Sequence, residues 1–351
     1  MSRSYRVVVA APQVPFLRGG AELHAELTVT ALRKAGHEVD LVTLPYTWTG
    51  EVDSMNQALA WRLANFEEAA PGAVDLVIAT KYPSYLARHP NKIAWVFHQQ
   101  REVYDLHPTG FGNFGLADDQ IALREALVEL DMEALLECRA LFTNSGNTAR
   151  RMEQYCGIPA TPLYAPPPLH DQLRSGPHGD YLFFVGRLDP IKRLDMTIEA
   201  LAATSSAVTL KIAGRGPAAD ALKELAERLG VSDRVEFLGF VSDEDVLELM
   251  AGCLGMVLTP HDEDYGFTTL EAFFAGKPVV TTTDAGGVLE WVEDEVTGFV
   301  VAPDPAALAG RIDDLFNDRA GCERMGLAGR ERVCDRVSWD KALAALTATL
   351  D

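Results

Sequence analysis

The 351-residue chain is too long for one ordinary core and fits two domains. Apolar residues make up 48% and charged residues 23%, the balance of a globular protein, and a net charge of −20 disfavours nucleic acid as a partner. Five cysteines (Cys138, Cys156, Cys253, Cys322 and Cys334) carry no CxxC pair, which argues against a disulfide framework or zinc site and predicts reduced, mostly buried thiols.

The longest apolar runs, such as residues 7–11, are of strand length and fall short of the ~20 residues of a membrane span. The basic start meets Pro12 and Pro15 too soon for a secretory leader, so a cytoplasmic protein is expected. The charge is uneven, about −5 over residues 1–165 and about −15 over the rest. The first half has no clustered Lys/Arg run, so stable membrane association is not expected and a soluble partner is favoured over a lipid.

Residues 6–11 predict a strand, followed by a Gly19-Gly20 loop and a helix over 22–34 that stops at Gly36. A strand over 38–43 completes a βαβ unit. Further strands are expected at 76–79, 93–97 and 140–143, and helices at 56–68, 120–138 and 148–155. The proline run Pro166-Pro167-Pro168 marks a boundary. After it come strands at 181–185, 208–213, 235–237, 255–258 and 278–281. They alternate with helices at 194–203, 218–229 and 268–275, and two more follow at 305–317 and 319–333. The expectation is α/β: one domain over 1–168, a second over 169–333, and an end segment, 334–351, amphipathic over 339–350, packing back on the first. In such parallel sheets ligands bind outside the strands' carboxyl ends.

The sharpest stretch runs from Glu263 through Gly266-Phe267-Thr268 to Glu271, two glutamates eight residues apart around a helix start. Amides of Gly266, Phe267 and Thr268 at a helix N-terminus suit an anion, while the carboxylates suit sugar or ribose hydroxyls. An acidic surface loop capping an ordinary helix fits the same residues. Arg187 and Lys192 bracket a tight loop just after a strand, where two cations can neutralise a diphosphate and stabilise it as it leaves. A solvated basic loop with Arg193 paired to Asp195 is the alternative.

Gly19-Gly20 after the first strand lets backbone approach a phosphate or sugar, or is a plain turn. Gly214-Arg215-Gly216 lacks the third glycine and the acidic residue of a dinucleotide fingerprint. His98 follows a strand and opens a polar loop, running to Gly115, whose Arg101, Tyr104, Asp105 and His107 suit either ligand contact or loop packing. Asn144-Ser145-Gly146-Asn147-Thr148 is accounted for by helix capping.

Taken together, these stretches resemble the large family-4 retaining glycosyltransferases of GT-B fold, two Rossmann-like domains facing a central cleft. The similarity is collinear over nearly the whole chain. It includes Gly19-Gly20-Ala21-Glu22, Gly186-Arg187-Leu188 with Lys192-Arg193-Leu194-Asp195, Ala213-Gly214-Arg215-Gly216-Pro217 and Phe237-Leu238-Gly239-Phe240-Val241. The Glu263/Glu271 stretch and Gly286-Gly287 through Glu290 to Thr297-Gly298-Phe299 complete it. Asp264-Tyr265 departs from the more frequent Gly-Phe.

The resemblance implies a hexose-type sugar carried by a nucleoside diphosphate and moved to the hydroxyl of a small-molecule or glycan acceptor, with no resident cofactor. Arg187 and Lys192 are implied to bind the donor diphosphate, Glu263 the sugar hydroxyls and Glu271 the ribose. Gly266, Phe267 and Thr268 are implied to give amides to sugar and phosphate, and the backbone at Phe240 and Val241 to meet the nucleobase. His98 is implied near the donor sugar, and Gly19 and Gly20 near phosphates and acceptor. The implied mechanism is front-face substitution with retention, the acceptor proton passing to a phosphate oxygen, helped by domain closure and without a metal. The Asp262-Glu263-Asp264 run is read as a solvated loop with one functional member rather than a metal cluster. A sugar-nucleotide epimerase of similar fold and a non-catalytic sugar-nucleotide-binding protein remain as alternatives. A phosphorylase lacks a supporting signature, and a nicotinamide dehydrogenase lacks the glycine fingerprint.

Overall fold

The computed structural model describes residues 4–16, 18–47, 51–67, 72–107 and 115–350. The chain divides into two compact units, Met1–Ala165 with Ser338–Asp351, and Pro166–Val337. The proline run therefore opens the second unit rather than closing the first, because Ala165 is buried with Leu163 in the first unit's core.

In the first unit the elements are β1 (Arg6–Gln13), α1 (Gly20–Lys34), β2 (Glu38–Pro45), α2 (Glu51–Leu63), β3 (Leu76–Ala79), β4 (Lys92–Val96), α3 (Asp118–Leu136), β5 (Leu141–Thr143), α4 (Gly146–Cys156) and β6 (Thr161–Pro162). The sheet runs β2-β1-β3-β4-β5-β6, all parallel. Alternation along β1 sends Val7 and Val9 to one face and Val8 and Ala10 to the other, and both faces are buried. Helix α1 covers the first face; α2, α3 and α4 cover the second.

The second unit contains β7 (Tyr181–Val185), α5 (Leu194–Ala203), β8 (Thr209–Ala213), α6 (Ala219–Arg228), β9 (Val235–Gly239), α7 (Asp243–Gly252), β10 (Gly255–Leu258), α8 (Phe267–Phe274), β11 (Val279–Thr282), β12 (Gly298–Val301), α9 (Pro305–Asn317) and α10 (Arg319–Arg336). Its parallel sheet is ordered β12-β11-β10-β7-β8-β9. Two successive halves thus fan out from the central pair β7 and β10, the doubly wound Rossmann arrangement with its switch point between those strands. The chain then returns to the first unit as α11 (Trp339–Thr347), whose Ala342 and Leu346 pack into the core beneath α1.

The two-sheet α/β architecture agrees with the sequence expectation, but several elements differ. Helix α7 and strands β6 and β12 were not anticipated. Helix α7 begins with three acidic residues and is defined by a capping box between Ser242 and Asp245 rather than by an apolar stripe. Strand β6 is two residues long and contains Pro162, and β12 opens on Gly298, both of which weaken a strand signal. Helix α2 ends at Leu63, and the expected terminus Glu68 lies outside the described residues, as do residues 108–114 of the loop after His98. Cys156, Cys253 and Cys322 are buried, Cys138 is half-buried and Cys334 is exposed; all are free thiols.

Candidate active site

In the second unit the residues singled out from the sequence gather at the β7/β10 switch point. Arg187 and Lys192 lie on the loop after β7, and Glu263 on the loop after β10. The Lys192 ammonium is hydrogen-bonded to the Glu263 carboxylate, and both side chains are partly buried. Arg187 is half exposed and pairs with Asp189 at 2.5 Å. The site's cations are thus already matched by carboxylates of the same loops.

Helix α8 points its N-terminus into this cluster. Gly266 is its N-cap, with φ +76°, a left-handed conformation that favours glycine. The amides of Gly266, Phe267 and Thr268 fall at the end where a helix has no internal acceptors. Thr268 Oγ1 donates to Val185 O at 3.4 Å, which ties the helix start to the end of β7.

Glu271 stands about 6 Å further along α8 by helix rise. It is partly buried, and among the described residues its carboxylate has no ion-pair or hydrogen-bond partner. Burial pushes its carboxyl up to about 7, and Asp243 at the start of α7 adds to the rise. Asp243 directly follows the β9–α7 loop, where Phe240 is 76% exposed and Val241 half-buried.

Sequence reasoning missed what holds these loops together. Arg193 does not pair with Asp195; it bonds Asp284 in bidentate fashion at 2.6 and 2.8 Å, Thr259 O at 2.7 Å, Pro260 O at 3.0 Å and Thr282 Oγ1 at 3.0 Å. One guanidinium thus fastens the loops after β7, β10 and β11. The signal was absent because Asp284 lies 91 residues away in the chain. Arg193 and Asp262, both non-glycine, take positive φ of 50° and 46°, costing on the order of 1–3 kcal/mol each. Such strain persists where surrounding bonds over-determine it.

In the first unit the switch point lies between β1 and β3. Gly19 caps α1, and its amide donates to Glu22 at 2.9 Å. The other Glu22 oxygen accepts Lys81 Nζ at 2.7 Å in a buried pair at the end of β3. Burial opposes ionisation of Glu22, but Lys81 and the Gly19 amide more than offset it and hold its carboxyl below the usual range. Lys81 was not singled out from sequence. His98 is half-buried two residues past β4, its Nδ1 2.8 Å from Gln99 O. Gly20 is the first residue of α1. Among the described residues no cluster of three or more His, Cys, Asp or Glu could hold a metal ion, and no helix is long and apolar enough to cross a membrane.

Residues 168–332 match the family model described as glycosyl transferases group 1. These residues, nearly all of the second unit, are thus similar to group 1 glycosyltransferases. Over segments of 118 to 182 residues it is 36% identical to an alpha-1,3/1,6-mannosyltransferase of Dictyostelium discoideum, 34% to a glycogen synthase of Mycobacterium tuberculosis and 34% to a D-inositol 3-phosphate glycosyltransferase of Salinispora tropica. Those segments cover 34%, 49% and 48% of this chain but only 28%, 42% and 37% of the relatives. The whole chain shares its fold with a sucrose-phosphate synthase of Thermosynechococcus elongatus, at TM-score 0.76, 18% identity and 98% coverage of both chains. HepE from Anabaena in complex with UDP and glucose aligns at TM-score 0.73 and 20% identity over 99% of both chains. The matched residues include Arg187, Lys192, Glu263 and Glu271.

Proposed function

We propose that the chain is a retaining glycosyltransferase that moves a hexose-type sugar from a nucleoside diphosphate onto the hydroxyl of a small-molecule or glycan acceptor. The observation that carries this reading is the convergence of Arg187, Lys192 and the N-terminus of α8 on the β7/β10 switch point. Two cations and oriented amides match a diphosphate, and in doubly wound folds phosphate lies at such a point. HepE, a fold neighbour, has been seen with UDP and with UDP-glucose, which supports a sugar-nucleotide donor here.

In this reading Arg187 and Lys192 stabilise the charge that develops on the departing diphosphate, and the amides of Gly266, Phe267 and Thr268 share it. Glu263 accepts hydroxyls of the sugar, and Glu271 those of the ribose. Phe240 and Val241 border the base. In the first unit, Gly19, Gly20 and His98 serve the sugar and acceptor side. The acceptor oxygen attacks the anomeric carbon on the face from which the diphosphate leaves. The carbon–oxygen bond to phosphate breaks, and the acceptor proton passes to a phosphate oxygen. The reaction is proposed to run in the cytoplasm without a resident cofactor or metal.

The test is transfer by Arg187→Ala and Lys192→Ala, with folding checked by circular dichroism. Each should lose at least about 100-fold in rate. Near-normal turnover in both variants rejects the proposal. A thermal-shift screen against UDP, GDP, ADP and dTDP identifies the base, since a ligand of the native state raises its melting point.

A further inference from the structure

Arg215 has a place that the donor site described so far does not use. It follows β8, the strand between β7 and β9. Its carbonyl accepts the amide of Leu188 at 3.0 Å, next to Arg187. One residue earlier, the Gly214 amide donates to Gly239 O at 2.7 Å, next to Phe240. The backbone of 214–215 is therefore stitched both to the diphosphate loop and to the β9–α7 loop. Adjacent strands lie about 4.8 Å apart, so the Arg215 and Phe240 side chains leave neighbouring positions on the carboxyl edge of the sheet.

Both side chains are open. Phe240 is 76% exposed, and Arg215 is exposed as well. Among the described residues the Arg215 guanidinium has no hydrogen-bond or ion-pair partner, although the chain carries 51 acidic side chains against 31 basic ones. An exposed ring beside an uncommitted, planar, donor-only fork suits one kind of ligand. That ligand is flat, stacks on the ring and offers acceptors at its edge.

We infer that Arg215 reads the edge of the donor base stacked on Phe240 and selects a base that presents a carbonyl oxygen, guanine best, over adenine. The inference rests on the proposed donor reading. Arginine carries only donors. Guanine offers O6 and N7 as two adjacent acceptors, which the fork takes in parallel. Uracil offers a carbonyl oxygen for a single bond. Adenine sets an amino donor beside N7, so one arm of the fork meets a donor. Discrimination through a bidentate pair is worth roughly tenfold or more.

Calorimetric titration of the full chain with GDP, UDP and ADP tests this, alongside Arg215→Ala and Arg215→Lys. GDP should bind roughly tenfold tighter than ADP, with UDP between. Both variants should bring GDP and ADP within about threefold of each other, chiefly by weakening GDP. Lysine keeps the charge and loses the fork, so its failure to restore the preference separates base reading from general attraction to phosphate. If nucleoside diphosphates bind but ADP binds as well as GDP, or the preference survives in Arg215→Ala, the inference falls and the donor reading stands. If none of the three binds, both fall.

Discussion

The Lys192 ammonium rests on the Glu263 carboxylate, and the two residues come from loops at the ends of the adjacent central strands β7 and β10. On the proposed donor reading, a diphosphate entering this site takes Lys192 from Glu263, and the freed carboxylate then meets the sugar. The pair keeps two partly buried charges compensated until that exchange.

The two residues should therefore separate in kinetics. Glu263→Ala removes a carboxylate that opposes phosphate, so free GDP or UDP should bind no more weakly than in the parent chain. Transfer should drop by about 100-fold, because the sugar loses its acceptor for hydroxyls. Calorimetry and initial rates on the same preparation check both. A parallel loss of nucleotide affinity and rate would assign Glu263 to the diphosphate side instead.

Arg193 should matter for stability more than its charge suggests. Arg193→Ala takes the guanidinium from Asp284, leaving it the Thr282 hydroxyl, and removes bonds to Thr259, Pro260 and Thr282, which should cost about 2–4 kcal/mol. Burial works against ionisation of Asp284, but its Arg193 and Thr282 bonds prevail and hold it down to about 2. An unfolded aspartate titrates near ~3.9, so this stabilisation is complete above that pH and disappears as pH falls through about 2. Urea unfolding between pH 2 and pH 6 should show that acid dependence in the parent chain and a flatter profile in Arg193→Ala. Equal profiles would mean that Asp284 contributes nothing through this pair.

Much of the architecture was legible because parallel strands buried on both faces read as short apolar runs separated by helices. The loops with Arg187, Lys192, Glu263 and Glu271 were legible for a related reason: each follows a strand or opens a helix, where chemistry concentrates. Partnerships were not legible. Arg193–Asp284 and Lys81–Glu22 join residues far apart in the chain, 91 and 59 positions, and only the strand order brings them together. Helix α7 was hidden because its N-terminus is set by Ser242 and Asp245, and it buries only Met250 and Ala251 near its end. The strand order also gives the Gly214-Arg215-Gly216 stretch a meaning that its failure to match a dinucleotide fingerprint had obscured.

That meaning can be tested at Gly214. Its φ is +139°, and a Cβ there would lie 1.8 Å from the carbonyl oxygen of Gly186. The contact is backbone on both sides, so no side chain can swing away. Gly214→Ala should cost at least about 3 kcal/mol or prevent folding of the second unit. Gly157 is the control: it also has positive φ, at the end of α4, but a Cβ there meets nothing within 4 Å. Gly157→Ala should cost only about 1 kcal/mol. Thermal unfolding of the two variants should rank them in that order. The reverse ranking would show that conformation, not crowding, dominates at both positions.

If Glu271 takes the ribose as proposed, it links nucleotide binding to protons. Burial and Asp243 raise its carboxyl to about 7, so near neutral pH the free protein holds it roughly half protonated. Ribose hydroxyls donate to a carboxylate and favour the ionised form, so binding should pull the value down and release a proton. Titrating GDP into the parent chain and Glu271→Gln at pH 7, in buffers of different ionisation enthalpy, isolates the effect, because protons from the ligand's own phosphate cancel in the difference. The parent should release ~0.5 proton more per ligand, and the excess should vanish at pH 9, where Glu271 is already ionised. Stability should move in a matching direction. The folded value lies above the ~4.3 of an unfolded glutamate, so the native state binds more protons between the two and loses stability as pH rises through that window. Glu271→Gln removes this loss and should gain on the parent between pH 5 and pH 8. Equal proton release by the two proteins would sink the ribose role, whatever the stability profile shows.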